Sequence, residues 1–335
     1  YQNHDLMTAT TSWGVHMPMR MDPTQANIAR VYDLSLGGKD HYAVDQTAYE
    51  QILEVAPHQG EVARMNRRWL HRIIRFLAGP AGIDQFLDIG AGLPTIGNTH
   101  DIVHQQNPEA RVVYVDNDPL CALHGQVLFK GHDHVRFVHA DLCDEDTLLT
   151  NPQITRLIEP DRPLGLLAVG LLHHLPDDRD PAAVMRAHID LLPAGSYVAI
   201  SHFWDPGAQD LSLHELARAV EDRFLRRGLG SGRYRSRTEI ASFFAGLPLV
   251  DPGLVELDDW WPEGPPPRPR YPEQRLMLGG LAYKRPAWNR VAAGGGTVEP
   301  TPTASSGRPA LSLVDGMWPV GKTPCSGRRP VAKSR

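Results

Sequence analysis

The sequence predicts an α/β fold built on a doubly wound, seven-stranded and mostly parallel sheet with an antiparallel pair at one edge. Three observations predict it. Five short apolar runs, QFLDI, RVVYVD, VRFVHA, LGLLAVG and SYVAISH, alternate with helical segments, and strands fed by helical crossovers lie parallel. The runs are apolar nearly throughout, as strands buried on both faces are. Two later runs, GLVEL and RLMLGGLAYK, flank the loop WWPEGPPPRPR closely enough in sequence to pair antiparallel.

Taken in order, residues 1–20 lack periodicity and read as a disordered lead. From Asp22 the pattern turns helical, with Ile28, Val31, Tyr32 and Leu34 near one face. The glycine pair of GGKDHYAVD interrupts it. Helices follow near Asp45–Val55 and Glu61–Ala78, separated by Pro57 and Gly60, the second with an apolar stripe of Trp69, Ile73, Phe76 and Leu77. This N-terminal helical segment, 22–78, precedes the AGPAG break and the first strand. Crossover helices are expected near Thr95–Gln106, Leu120–Phe129, Asp144–Ile158 and Pro181–Leu192, and two more near Leu211–Arg227 and Arg237–Ala245. From Pro286 onward Gly, Pro, Ser and Thr dominate without a period, so 287–335 reads as a disordered tail on a domain spanning 21–286.

Composition narrows the function classes. At 335 residues, 41% hydrophobic and 22% charged, the chain has the balance of a globular protein. Its net charge of -5 divides unevenly: residues 287–335 carry seven Lys or Arg against Glu299 and Asp315, so the tail is near +5 and the rest near -10. An acidic body argues against a nucleic-acid partner, which selects a basic footprint. The longest apolar run, PLGLLAVGLL, is too short to span a bilayer, and the N-terminal residues contain no apolar signal core. Three cysteines with no C-x-x-C spacing fit a reducing cytoplasm and no zinc site, and His132, His134 and His139 lack a metal-ligand helical spacing.

The chemistry gathers at strand ends. Asp88 closes the first strand, and Gly90 and Gly92 permit a sharp turn and a close approach to a ligand at the carboxyl edge of the sheet. A G-x-G-x-x-G fingerprint would place its last glycine where this chain has Thr95, after Pro94. Asp116 ends the second strand about two dozen residues beyond the glycines, where an acid accepts both hydroxyls of a ribose. Asp141 ends the third, placed either to receive an exocyclic amine or to cap a helix. Three adjacent strand ends bearing acids call for a ligand whose donors satisfy them.

The order D-x-G-x-G, acid, A-D-L is similar to that of Rossmann-like class I S-adenosylmethionine-dependent methyltransferases. More closely, ARVYDLSLGGKDHYAVD, ARMNRRWL, QFLDIGAGLPTIGNTH, ARVVYVDNDP and LLHHLPDD together resemble the actinobacterial S-adenosyl methyltransferase family, once known as a domain of unknown function, from about Asp22 to Pro286. The resemblance implies S-adenosylmethionine as cofactor, with Asp88, Gly90 and Gly92 along its methionine moiety. Asp116 would hold the ribose, Asn117 would flank the adenine, and Asp141 and Leu142 would reach its edge. Tyr32, Gly38, Lys39 and Asp40 would belong to an N-terminal helical lid over the cofactor, and Arg64 or Asn66 would contact its carboxylate. The chain departs from the family's usual pattern at Leu34, Ser35, His41 and His174, departures that bear on substrate choice more than on the cofactor.

A methyl acceptor that is a hydroxyl or amine must lose a proton, which calls for a base. His173 and His174 at the end of the fourth strand, and His202 at the end of the fifth, are the candidates expected on the substrate side. Arg64, Arg67, Arg68, Arg72 and Arg75 read as a solvated helix face opposite Trp69 and Ile73, and Trp260 and Trp261 as a cap on the sheet edge. The expected activity is methyl transfer to a small molecule at oxygen or nitrogen. Its rivals are an NAD(P)-dependent oxidoreductase, disfavoured by Pro94 and Thr95 and by the antiparallel closing pair, and a non-catalytic S-adenosylmethionine-binding regulator.

Overall fold

The structure, a computed structural model, describes residues 22, 24–94, 97–144, 148–262, 264 and 269–286. The lead 1–20, the tail 287–335 and Thr95 lie outside the described residues. Seven strands form one sheet: β1 (Gln85–Ile89), β2 (Arg111–Asp116), β3 (Val135–His139), β4 (Gly165–Val169), β5 (Tyr197–Phe203), β6 (Val255–Glu256) and β7 (Met277–Tyr283). Their order is β3-β2-β1-β4-β5-β7-β6. The first five are parallel, and β7 runs antiparallel between β5 and β6. Strand order reverses between β1 and β4, so the carboxyl ends of these strands open a crevice at the switch point.

The crossovers follow local chemistry. Helix α5 (Pro119–Leu128) starts where Asp118 Oδ1 accepts from the backbone N–H groups of Leu120 and Cys121, with Pro119 fixing the first turn. Helix α7 (Pro181–Leu191) is capped by Asp180 in the same way, and α9 (Arg237–Ser242) by a Ser236–Glu239 capping box. Two expected helices are corrected. The segment after the glycine turn does not become helical at Pro94: α4 spans Thr99–Val103, with Asn98 as its cap. The expected Asp144–Ile158 helix is, within the described residues, a 3-10 turn at Leu148–Thr150 and a short α6 (Pro152–Thr155), because Asn151 and Pro152 restart the chain as a new N-terminus.

Two apolar layers clamp the sheet. Leu87, Val113, Leu166, Val198 and Ile200 face α6, α7 and α9. Phe86, Val112, Leu167, Ala199 and Phe203 face the other layer, which holds the N-terminal helices α1 (Ile28–Ser35), α2 (Ala43–Leu53) and α3 (Gln59–Ala78), and α8 (Leu211–Arg226). The glycine pair of β7 records this clamping. A Cβ at Gly279 would lie 2.7 Å from Trp69 Cε2, and one at Gly280 would lie 3.0 Å from Phe244 Cζ on the other face. Trp260 is fully buried edge-on against Trp69 at 6.1 Å, so it is a core residue more than an edge cap. The arginine face of α3 is likewise corrected: Arg72 is buried and donates to the carbonyls of Leu257 and Trp260, anchoring the loop that follows β6.

Candidate functional site

The glycine turn is tied to the neighbouring strand. Gly90 and Ala91 donate their N–H groups to Val115 O at 2.8 and 3.1 Å, and Gly92 N–H donates to Asp116 Oδ2 at 2.8 Å. Both glycines hold φ near +67° and +68°, a region costly for residues with a Cβ. At Gly90 a Cβ would strike Leu171 Cδ1 at 2.5 Å, whereas at Gly92 it would meet Ala29 Cβ alone, at 4.0 Å. The turn therefore leaves room above Gly92, roofed by α1.

Asp116, Asn117 and Asp141 come together along the rim. Asp116 Oδ1 accepts from Asp118 N–H at 2.9 Å, so each of its oxygens carries one main-chain bond and retains a lone pair for a further donor. Burial pushes this carboxyl above its ordinary value. Asn117 Nδ2 donates to Asp141 Oδ2 at 3.0 Å, and Asp141 Oδ1 accepts from Cys143 N–H at 2.8 Å. Burial opposes ionisation of Asp141, yet those hydrogen bonds and nearby Arg179 hold its carboxyl below the usual range. Leu142 packs its side chain into the core.

Asp88 points beneath the turn. It accepts from Thr99 Oγ1 at 2.5 Å and is desolvated enough to be pushed up to about 6. It lines a cleft of about 250 Å3 with Arg67, Gly92, Asn98 and Thr99. Arg67, and neither Arg64 nor Asn66, is among the residues lining this cleft. Arg64 is exposed, and its guanidinium donates to Glu61 and to Ser35 O. Helical periodicity places both on one broad face; three residues of advance turn Arg67 toward the strand ends.

A second, larger cleft of about 490 Å3 lies between α1, α2, α3 and the ends of β4 and β5. A chain of hydrogen bonds spans its wall: Asn66 Nδ2 donates to Tyr32 Oη at 3.3 Å, Ser201 Oγ donates to Asn66 Oδ1 at 2.7 Å, and Gly170 N–H donates to Ser201 Oγ at 2.9 Å. Gly170 has φ +69°, and a Cβ there would sit 3.0 Å from Asn66 Nδ2. Gly170→Ala is therefore expected to lower stability by about 1–2 kcal/mol through left-handed strain alone, measurable as a lowered denaturation midpoint, and to disturb this chain. Gly38 lies elsewhere, in a loop wrapped on Asp33: a Cβ there would fall 2.1 Å from Asp33 Oδ1, and Asp40 N–H donates to Asp33 Oδ2 at 3.1 Å. The exposed Lys39 belongs to that loop, so neither it nor Gly38 is among the residues lining the two clefts. Asp33 was not singled out in the sequence, although its i+5 and i+7 neighbours, Gly38 and Asp40, form the loop it organises.

The three histidines cluster, with the His173 ring 4.3 Å from that of His174 and 5.4 Å from that of His202, but they do not all reach the cleft. His173 and His174 line the larger cleft. His173 stacks on Phe203 with centroids 3.7 Å apart, and its carbonyl accepts from Ser231 Oγ and Arg233 N–H, both at 2.7 Å. Its Nδ1 is buried without a hydrogen-bond partner, and burial holds the imidazole well below its usual value, hence neutral. His174 is pushed down to about 4 by burial, and Gly230 packs beside its Nδ1. His202 is turned away: it shares a side of the sheet with Phe243, and its ring bridges Phe203 O at 2.6 Å and the Arg235 guanidinium at 2.9 Å. Nδ1 donates to the carbonyl, so Nε2 accepts from Arg235 and has no lone pair left for a substrate proton. Burial pushes it down to about 3.

The sequence model of a family described as S-adenosyl methyltransferase matches residues 15–285. A candidate methyltransferase from Thermobifida fusca YX, solved by crystallography, is similar to the chain with 38% identity and a TM-score of 0.71, covering 78% of this chain and 96% of its own. A DUF574 family protein from Streptomyces avermitilis MA-4680 is similar with 36% identity and a TM-score of 0.72, covering 79% of this chain and 100% of its own. No curated protein matches. No helix among the described residues is long and apolar enough to cross a membrane.

Proposed function

Since the chain belongs to the S-adenosyl methyltransferase family, a methyltransferase family whose cofactor is S-adenosylmethionine, we propose that it methylates a small molecule at oxygen or nitrogen. The observation that carries this reading is the placement of two clefts and an acid at the carboxyl ends of neighbouring strands: Asp88 and Gly92 line one cleft, Asp116 ends β2 and holds the Gly92 N–H, and the Asn66–Ser201–Gly170 chain bounds the larger cleft across the switch point. The residues present fit the cofactor. The unfilled space above Gly92 admits a ligand, and Asp116 retains two acceptor sites for ribose hydroxyls. Asn117 and Asp141 would flank the adenine, and Arg67, beside Asp88, would receive the carboxylate.

When bound, the cofactor supplies a methyl group already activated on a sulfonium. Tyr32, lining the larger cleft, offers a ring face to a cation. The lid helix α1 excludes water from the turn it roofs. His173, neutral and with an unpartnered nitrogen, would accept the acceptor's proton. Positioning is the larger part of the task, because aligning the acceptor with the methyl group removes the entropic part of the barrier.

Calorimetry with S-adenosylhomocysteine tests the assignment. The wild-type protein is expected to bind it, and Asp116→Ala to bind at least about tenfold more weakly, since charged hydrogen bonds contribute about 1.5–3 kcal/mol. Equal affinity in the variant would remove Asp116 from the site. Binding of NAD in place of S-adenosylhomocysteine would overturn the cofactor-site reading.

A further inference from the structure

The larger cleft has a chemical bias that goes beyond its location. Among its lining residues are Val31, Ile52, Tyr49, Phe203, Phe224 and Met277. Its polar groups are uncharged, namely Ser35, Gln59, Asn66, the hydroxyls of Tyr32 and Tyr49 and the two imidazoles, and among the described residues no Lys, Arg, Asp or Glu lines it. Of the charges nearby, Arg64 pairs with Glu61 and Arg30 with Asp45, whereas Arg67 and Asp88 act on Tyr32, and Arg235 on His173, from outside the lining. A charged acceptor would leave water for this cleft without a direct ion-pair partner among the lining residues, which costs several kcal/mol per charge. An apolar ring system would meet four aromatic side chains, Tyr32, Tyr49, Phe203 and Phe224.

We infer that the acceptor is an uncharged, predominantly apolar molecule carrying a phenolic hydroxyl, which His173 receives at the Gly170 end of the cleft. The Cε1 edge of His173 lies 3.9 Å from the Cβ position of Gly170. The imidazole is thereby set where β4 ends, with its ring fixed by Phe203 and its backbone by Ser231 and Arg233. This inference rests on the methyltransferase reading. The acceptor oxygen forms the new O–C bond as the C–S bond breaks with its electron pair left on sulfur. The hydroxyl proton passes to a nitrogen of His173, so one positive charge is lost at the sulfonium and one appears on the imidazole. A desolvated imidazole is a weak base, and it matches an acidic hydroxyl better than an aliphatic alcohol.

The test is calorimetry on the full chain saturated with S-adenosylhomocysteine, using 2-naphthol, naphthalene and 6-hydroxy-2-naphthoate as probes. One-to-one binding of 2-naphthol at least about tenfold tighter than the hydroxynaphthoate is expected, and tighter than naphthalene. Gln59→Arg places a cation in the wall and is expected to narrow or reverse the discrimination against the carboxylate. His173→Phe is expected to erase the preference for 2-naphthol over naphthalene while leaving binding of S-adenosylhomocysteine intact. Equal or tighter binding of the carboxylate by the wild-type protein overturns the inference, as does absence of 2-naphthol binding to a protein that binds S-adenosylhomocysteine. Failure to bind S-adenosylhomocysteine at all would instead overturn the cofactor assignment and this inference with it.

Discussion

Replacing Asp45 by alanine is expected to cost about 3–5 kcal/mol of stability, the range for removing one partner of a buried ion pair. Asp45 is fully buried, and its carboxylate accepts from Arg30 Nε at 2.7 Å, from Asn27 N–H at 2.9 Å and from Tyr42 N–H at 2.8 Å. Without it, the 5% exposed Arg30 keeps a charge with one carbonyl partner, Gln25 O at 2.5 Å, and two backbone donors lose their acceptor. The damage reaches the site through α1. Asn27 caps that helix, accepting from Ala29 N–H at 2.8 Å, and its amide also donates to Asp118, two residues beyond Asp116. Loosening α1 removes both the roof over Gly92 and this tie to β2. Urea unfolding should show a lowered midpoint, and calorimetry under conditions where the variant is still folded should show weaker S-adenosylhomocysteine binding. Asp45→Asn, which retains an acceptor oxygen, should lose less of both. A change under about 1 kcal/mol in Asp45→Ala would mean that Arg30 reaches water when its partner is removed.

The strands and their acids were legible in sequence because both rest on short-range pattern. Apolar runs ending in Asp88, Asp116 and Asp141 place those carboxylates at one sheet edge wherever the crossovers are regular. The failures come from side-chain direction. His202 and His173 both follow strands, yet β5 alternates faces: Ser201 and Phe203 meet the lid-side residues Asn66 and His173, which sends His202 to the side of Phe243. That alternation was available in AISHFW and would have removed His202 as a base. The choice of Arg67 over Arg64 was less accessible, since it depends on how α3 is rotated against β1 and α4. Asp33 and Asp45 were hidden for another reason: their donors include near neighbours, Asp40 N–H and Tyr42 N–H, but nothing local shows that either carboxylate is buried or that Asp45 also meets Arg30 and Asn27. The short α6 was legible in Asn151-Pro152, a restart signal within the expected Asp144–Ile158 helix.

Stability is expected to fall by about 3–5 kcal/mol between pH 7 and pH 5, because the histidines packed around the fourth and fifth strand ends are buried neutral. His174 is pushed down to about 4, His202 to about 3 and His173 well below its usual value, in each case chiefly by burial. Unfolded imidazoles bind protons near pH 6.5, so below that pH the unfolded chain takes up protons that the folded chain refuses. At about 1.4 kcal/mol per pH unit, each contributes roughly 2 kcal/mol of destabilisation by pH 5. His100, His132 and His188, also lowered chiefly by burial, act with the same sign. Asp88 opposes them. Pushed up to about 6, it holds a proton in the folded state that the unfolded chain has lost, which returns about 1.4 kcal/mol by pH 5, and the raised Asp33 and Asp116 act in its direction. Denaturant unfolding at pH 7, 6 and 5 measures the balance, and His174→Phe should remove about 2 kcal/mol of the pH-dependent loss. A flat profile would show that these imidazoles are hydrated in the folded state. The same shifts separate stability from chemistry: a His173 held well below its usual value by burial keeps its neutral form to lower pH than a solvated histidine does, so the folded fraction should keep the proposed base unprotonated as the protein approaches acid unfolding. Activity lost on acidification should therefore follow the folded population and return on neutralisation, without the half-titration near pH 6.5 that a solvated histidine base would impose.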